Sequence, residues 1–208
     1  MHKRMLLPLA VALSSSAASA ANSVDLAVTG RIMPAACSIS LSSSEYAFGE
    51  IKSSDLNIDS NTAGRTTDHD LGIICSTPTH IAIQATDNRS GTALDTHFSL
   101  FGLGLDSQGN SIGAYQLITM DTELDGSLGY GTRSDDGGAT WNYDTNVLST
   151  APSSIFSWNK TANGANPEPF VSLTQVLRAH LILSPMEDLD ITQEIPLDGS
   201  ATLELFYL

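Results

Sequence analysis

Basic residues are scarce in this 208-residue chain: nine lysines and arginines stand against 23 aspartates and glutamates, giving a formal charge of −14. A surface for nucleic acid or for an anionic membrane needs a basic stripe, and none is available, so neither partner is expected. Charged residues make up only 15% of the chain and hydrophobic residues 41%, a balance that argues against wholesale disorder. Cysteine is limited to Cys37 and Cys75. Long hydrophobic runs are missing beyond the first residues, since no later stretch approaches the roughly 18 uninterrupted apolar residues of a membrane helix. Catalytic signatures are missing too. There is no Gly-x-Ser-x-Gly elbow, no His-Glu-x-x-His and no phosphate-cradling glycine loop followed by lysine, and the five histidines are scattered. No enzymatic activity and no cofactor are expected.

What is present begins with a leader. His2-Lys3-Arg4 is a positive n-region, Met5 to Leu13 an apolar run of signal-peptide length, and Ala18-Ser19-Ala20 a small-residue cleavage box, so residues 1–20 read as a signal peptide. Its removal takes Lys3 and Arg4 and no acid, which moves the formal charge from −14 to −16. Export gives the cysteine pair its meaning: in an oxidising compartment Cys37 and Cys75 are expected to form a structural disulfide, with no membrane insertion once the leader is gone.

Periodicity is β throughout. The runs Gly72–Cys75, His80–Ala85, Phe98–Leu105, Ala114–Met120, Val171–Leu183 and Thr202–Leu208 are rich in aliphatic and aromatic residues and are separated by Gly, Asn, Asp, Ser or Pro clusters. Val176–Leu183 admits a helical turn, but Pro185 and the flanking signals favour strand. No fixed repeat is present, and one antiparallel sandwich domain over residues 34–208 is the natural architecture.

Ahead of that domain, over residues 21–33, Val24, Leu26, Val28, Gly30 and Ile32 alternate with Asp25, Ala27, Thr29 and Arg31. Such a segment, extended, is apolar on one face. Chain ends fray unless a sheet ties them down, so this one needs a groove to enter. An ordinary first strand of its own domain is the plainer alternative.

Val28-Thr29-Gly30-Arg31-Ile32 followed by Ala35-Ala36-Cys37 resembles the N-terminal extension of chaperone–usher pilus subunits. Tyr46-Ala47-Phe48-Gly49 is similar to the aromatic-glycine strand that follows in many pilins, and Cys75 falls where those subunits close their disulfide. At the far end Ala201, Leu203, Leu205 and Tyr207 alternate, with Tyr207 penultimate like the aromatic that pilins use in chaperone recognition. The resemblance covers the first third and the last ten residues and looks like an uncharacterised fimbrial-like branch. The stretch from Asp87 to Asn166 is longer than a pilin needs, and Ile195 stands where many pilins carry a glycine.

The resemblance implies an immunoglobulin-like, all-β antiparallel sandwich of pilin type, incomplete for want of its last strand, with one disulfide. It implies a structural pilus or fimbrial subunit that contributes to surface adhesion and assembles by donor-strand exchange. A periplasmic chaperone, an outer-membrane usher and neighbouring subunits are the implied partners, met in the periplasm and then on the cell surface. Val24, Leu26, Val28, Gly30 and Ile32 would be the donor strand, and Ala201, Leu203, Leu205 and Tyr207 the chaperone-contacting C-terminal strand. The other class in contention is a self-contained secreted carbohydrate- or ligand-binding sandwich, with Asp87–Asn166 as its site.

Three further motifs have plain readings. Ser134–Trp141 resembles the Asp-box of secreted β-proteins and marks a hairpin turn. Asp121–Gly126 begins like a calcium loop, but Thr132 at position twelve offers no bidentate carboxylate, so an acidic turn is expected and no metal. Asp68-His69-Asp70 reads as a loop entering the strand of Cys75.

Overall fold

Alternation with a period of two dominates the architecture. The structure, a computed structural model, describes residues 27–28, 36–143 and 146–208. The chain divides between Met33 and Pro34 into two units, and the fold that follows is that of the second. Its described strands are β1 Cys37–Leu41, β2 Thr62–Thr79, β3 Ile81–Asp87, β4 Phe101–Gly102, β5 Gly113–Leu124 and β6 Ser127–Leu128. They continue with β7 Tyr130–Ser134, β8 Asn142–Tyr143, β9 Ile155–Asn159, β10 Phe170–Leu183 and β11 Ala201–Tyr207. Among the described residues there is no α-helix, only the 3-10 turns Ser53–Asp55 and Met186–Asp188.

Two antiparallel sheets result. One runs β1-β2-β10-β5-β4 with β6 beside β5, and the other runs β11-β3-β9-β7-β8. Their inner faces share one core, to which β10 supplies Leu173, Leu177, Ala179, Leu181 and Leu183 at alternate positions. Trp158 of β9 lies fully buried, edge-on to Phe156 and Phe170 with ring centres 5.5 and 5.9 Å away. Its Nε1–H donates to Gln175 Oε1 at 2.9 Å, which satisfies the one polar atom a buried indole carries. The expected disulfide is formed: Cys37 and Cys75 are joined, and they face each other in the β1–β2 register. Closing a loop of 38 residues stabilises the fold by about 4 kcal/mol in the chain-entropy picture.

Several sequence expectations change. Asp68-His69-Asp70 is not a loop; it lies inside the 18-residue β2. Pairing with β10 runs on to Thr62, and Arg178 of β10 grips Asp68 through Nε and an Nη at 2.7 Å each. That cation comes from 110 residues away, so local reading sees only three polar residues. Phe98–Leu105 keeps only two residues of strand, because the chain turns at His97–Leu100 and again at Gly104, whose φ is +90°. Tyr46–Gly49 joins no ladder, although Tyr46 and Phe48 pack on the core. Asp87–Asn166 is no appendage, since β4 to β9 all lie within it. Val176–Leu183 is strand, and Ser134–Trp141 does turn a hairpin between β7 and β8.

Candidate docking groove between the first and last strands

Among the described residues, β1 ends one sheet and β11 ends the other. Burial changes abruptly over one strand spacing at both edges. On β2, Leu71, Ile73 and Cys75 are at most 3% exposed, and their partners across the ladder, Leu41, Ile39 and Cys37, are only half-buried. On β3, Ile81, Ile83 and Ala85 are at most 5% exposed. Opposite them Leu205 and Leu203 are half-buried and Tyr207 is 54% exposed. Among the described residues, core-facing side chains on the two outer strands are thus less covered than those of their inner neighbours.

The backbone tells the same story by parity. In an antiparallel ladder, residues alternate between those that exchange hydrogen bonds with the partner and those that point N–H and C=O away from it. Ser76 N–H donates to Ala36 C=O and Ser42 N–H to Asp70 C=O, so even-numbered residues of β1 bond to β2, and Cys37, Ile39 and Leu41 face outward. Asn88 N–H donates to Ser200 C=O and Leu208 N–H to His80 C=O, which leaves Ala201, Leu203, Leu205 and Tyr207 facing outward from β11. Among the described residues, the half-buried apolar side chains of β1 and β11 are therefore on the residues whose backbone groups have no ladder partner. A sheet edge of this kind is a template for another strand.

The two edges are linked at one end. Tyr207 Oη accepts the N–H of Cys37 at 2.9 Å, so the penultimate side chain reaches from one sheet to the other and uses the first outward donor of β1. Below β1, Tyr46 and Phe48 continue the half-buried row. Tyr46 Oη donates to Leu177 C=O at 3.1 Å, and its ring meets His69 edge-on at 4.6 Å. Burial, with Asp68 adding to it, pushes the Tyr46 hydroxyl up to about 12, so it stays a donor at any ordinary pH.

The sequence expectations divide sharply here. Val24, Leu26, Gly30 and Ile32 lie outside the described residues; Val28 is described, belongs to no strand and is 89% exposed. Ala201, Leu203, Leu205 and Tyr207 share one side of β11, where Ala201, Leu203 and Leu205 pack on the core and Tyr207 is exposed. The opposite wall, Ile39 and Leu41, went unremarked in the sequence, although the same period of two runs through Cys37–Leu41. The acidic motifs are structural. Asp125 turns β5 into β6 with Gly126, at φ of +50° and +75°. Its carboxylate holds Lys160 Nζ and the N–H groups of Val171 and Ser172, each at 2.9 Å. Asp136 of the Asp-box accepts Thr140 N–H at 2.9 Å and Thr140 Oγ1–H at 2.6 Å. Among the described residues no three His, Cys, Asp or Glu side chains are grouped to hold a metal ion, and no helix is long and apolar enough to cross a membrane.

Comparison with known proteins adds one finding. Residues 26–100 match the model of a family described as "Protein of unknown function (DUF1120)", a stretch that spans the exposed Val28, β1, β2, β3 and the disulfide. No curated protein matches.

Proposed function

We propose that this chain is a structural subunit of a chaperone–usher type pilus or fimbria, completed and polymerised by donor-strand exchange. The observation that carries the reading is the coincidence, on both β1 and β11, of uncovered apolar side chains with outward-facing backbone groups on the same residues. One extended segment with apolar residues at alternate positions satisfies both needs at once. The chain carries such a segment in Val24, Leu26, Val28, Gly30 and Ile32. Burying four such side chains contributes on the order of 6–10 kcal/mol before ordering costs, with ladder hydrogen bonds in addition. A periplasmic chaperone would cover the same edges before assembly, and an outer-membrane usher would be the site of exchange.

The test is a synthetic peptide of residues 21–33 offered to the protein from which that segment has been removed. Binding with protection of the Ile39 and Leu203 amides from hydrogen exchange is expected. A stable monomer that takes up no peptide and leaves those amides exchanging freely overturns the reading in favour of a self-contained binding domain.

A further inference from the structure

The geometry points to a saccharide-binding pocket at the end of the sandwich away from the Tyr207–Cys37 bridge, one that takes a neutral sugar and refuses acidic ones. The inference goes beyond the docking reading and does not depend on it.

Thr62, Leu183 and Gly113 stand on one rung across β2, β10 and β5. Residues just outside that rung meet at one end of the sheet, while Cys75, Cys37 and Tyr207 lie toward the other. Together with the turn bearing Leu94 and Asp95 they enclose a cavity of about 590 Å³, a size that suits a small organic ligand.

Hydrogen bonds between separate segments fix its shape before any ligand arrives. Ser184, 3% exposed, donates its Oγ–H to Ser111 C=O at 2.6 Å and its N–H to Ile112 C=O at 3.1 Å. Asp106 accepts the N–H and an Nδ2–H of Asn110 at 2.8 and 3.0 Å and the N–H of Asp190 at 2.9 Å, so the turn bearing Asn110 is tied to the segment bearing Glu187 and Asp188. Glu187 N–H donates to Ile58 C=O at 3.1 Å, which brings in the segment that ends at Asn61. A site held this way has little ordering left to lose when it is filled.

The lining is one-sided in its chemistry. Asp95, Glu187 and Asp188 bring three carboxylates, and no lysine or arginine lines the cavity. Among the described residues the side chains of Glu187, Asp188 and Asn61 have no hydrogen-bond or ion-pair partner. Asp95 uses one oxygen on the His97 N–H, and the Asp106 contact leaves Asn110 Oδ1 free. Acceptors thus dominate, and a ligand has to supply donors in several directions while carrying no negative charge. Leu94 and Pro185 add an apolar surface beside them. A pyranose has this composition, with hydroxyl donors around its rim and a C–H face. A metal ion does not suit the lining, since among the described residues no three acidic, His or Cys side chains are grouped to hold one. An ammonium group would answer one carboxylate and leave the amide oxygens and the apolar surface unused.

The test offers the full chain to immobilised mannose, galactose and N-acetylglucosamine, with glucuronic acid, N-acetylneuraminic acid and spermidine as charged controls. Capture on at least one neutral sugar, competed by the same sugar free in solution, is expected, with none on the two acids. Glu187→Gln and Asp188→Asn together are expected to weaken that capture at least tenfold, since a charge-assisted hydrogen bond is lost at each. The melting temperature is expected to stay where it was, because neither carboxylate has a partner in the fold. Should the pair disturb folding, Glu187→Gln alone decides. No capture on any neutral sugar, equal capture on the acids, capture indifferent to the substitutions, or retention on spermidine alone overturns the inference. None of these results bears on whether the 21–33 peptide docks.

Discussion

Asp125, Asp136 and Asp106 each do the work of a small staple. Lys160, followed by the amides of Ser172 and Val171, holds the Asp125 carboxyl down to about 2. Thr140 and then Ser134 do the same for Asp136, and the Asp190 N–H followed by Asn110 does so for Asp106, both again to about 2. Each folded value lies below the ordinary 3.8, so the stabilisation is complete above that value and fades as the pH falls through it toward 2. Thermal melts between pH 5 and pH 2 are expected to show falling stability in that window, and Asp125→Asn to flatten part of the slope; a slope the same as the parent's would show that Asp125 contributes nothing to it. Gly102 is a second residue-scale constraint. A Cβ there would stand 2.5 Å from the Arg89 carbonyl oxygen, and nearer still to Thr92 Oγ1. Gly102→Ala is expected to lower the free energy of unfolding by about 1–3 kcal/mol in urea titrations, the usual cost of overpacking.

Among the described strands of five residues or more, β1 is the most precarious, with five residues, one described neighbour and a half-buried inner face. Replacing Cys37 and Cys75 by alanine together is expected to cost about 4 kcal/mol and to raise amide exchange at Ser38 and Ser40 more than in β10. Equal loss of protection in both strands would mean that the disulfide steadies the whole sandwich and not this edge. Strands such as β5, β10 and β11 were legible in the sequence because they are runs rich in bulky aliphatic and aromatic residues. β7 and β9 were not, since Thr132, Ser157 and Asn159 are polar yet wholly buried. Their cover is a loop: Asn159 Nδ2 donates to Gly164 C=O at 2.8 Å, and Thr132 Oγ1–H to Ala165 C=O. Burial of this sort comes from tertiary hydrogen bonding, on which hydrophobic periodicity is silent. For the groove, the β11 wall could be read from Ala201, Leu203 and Leu205, whereas the role of Ile39 and Leu41 depends on which strands become edges. That is decided by pairings up to 170 residues apart, such as Cys37 with Tyr207.

For the molecule as a whole, the β1 and β11 edges, with their half-buried apolar side chains, are a hazard wherever no further strand covers them. Without a partner strand, the protein is expected to associate in a concentration-dependent way, and the peptide of residues 21–33 to raise its melting temperature progressively with peptide concentration. A melting temperature unmoved by excess peptide would count against the groove. The formal charge of −14 works against association through mutual repulsion, so raising the salt concentration is expected to speed it.

The position of the Cys37–Cys75 bond has a mechanical consequence. Cys37 is the first residue of β1, and the bond ties it directly to β2, which lies deep in its sheet between β1 and β10. In the proposed filament, tension arriving along residues 33–36 would pass through sulfur into β2 and on to the long β2–β10 pair, sparing β1 from being peeled away rung by rung. A pulled subunit would then yield by sliding whole strands past one another, a far stiffer failure than unzipping.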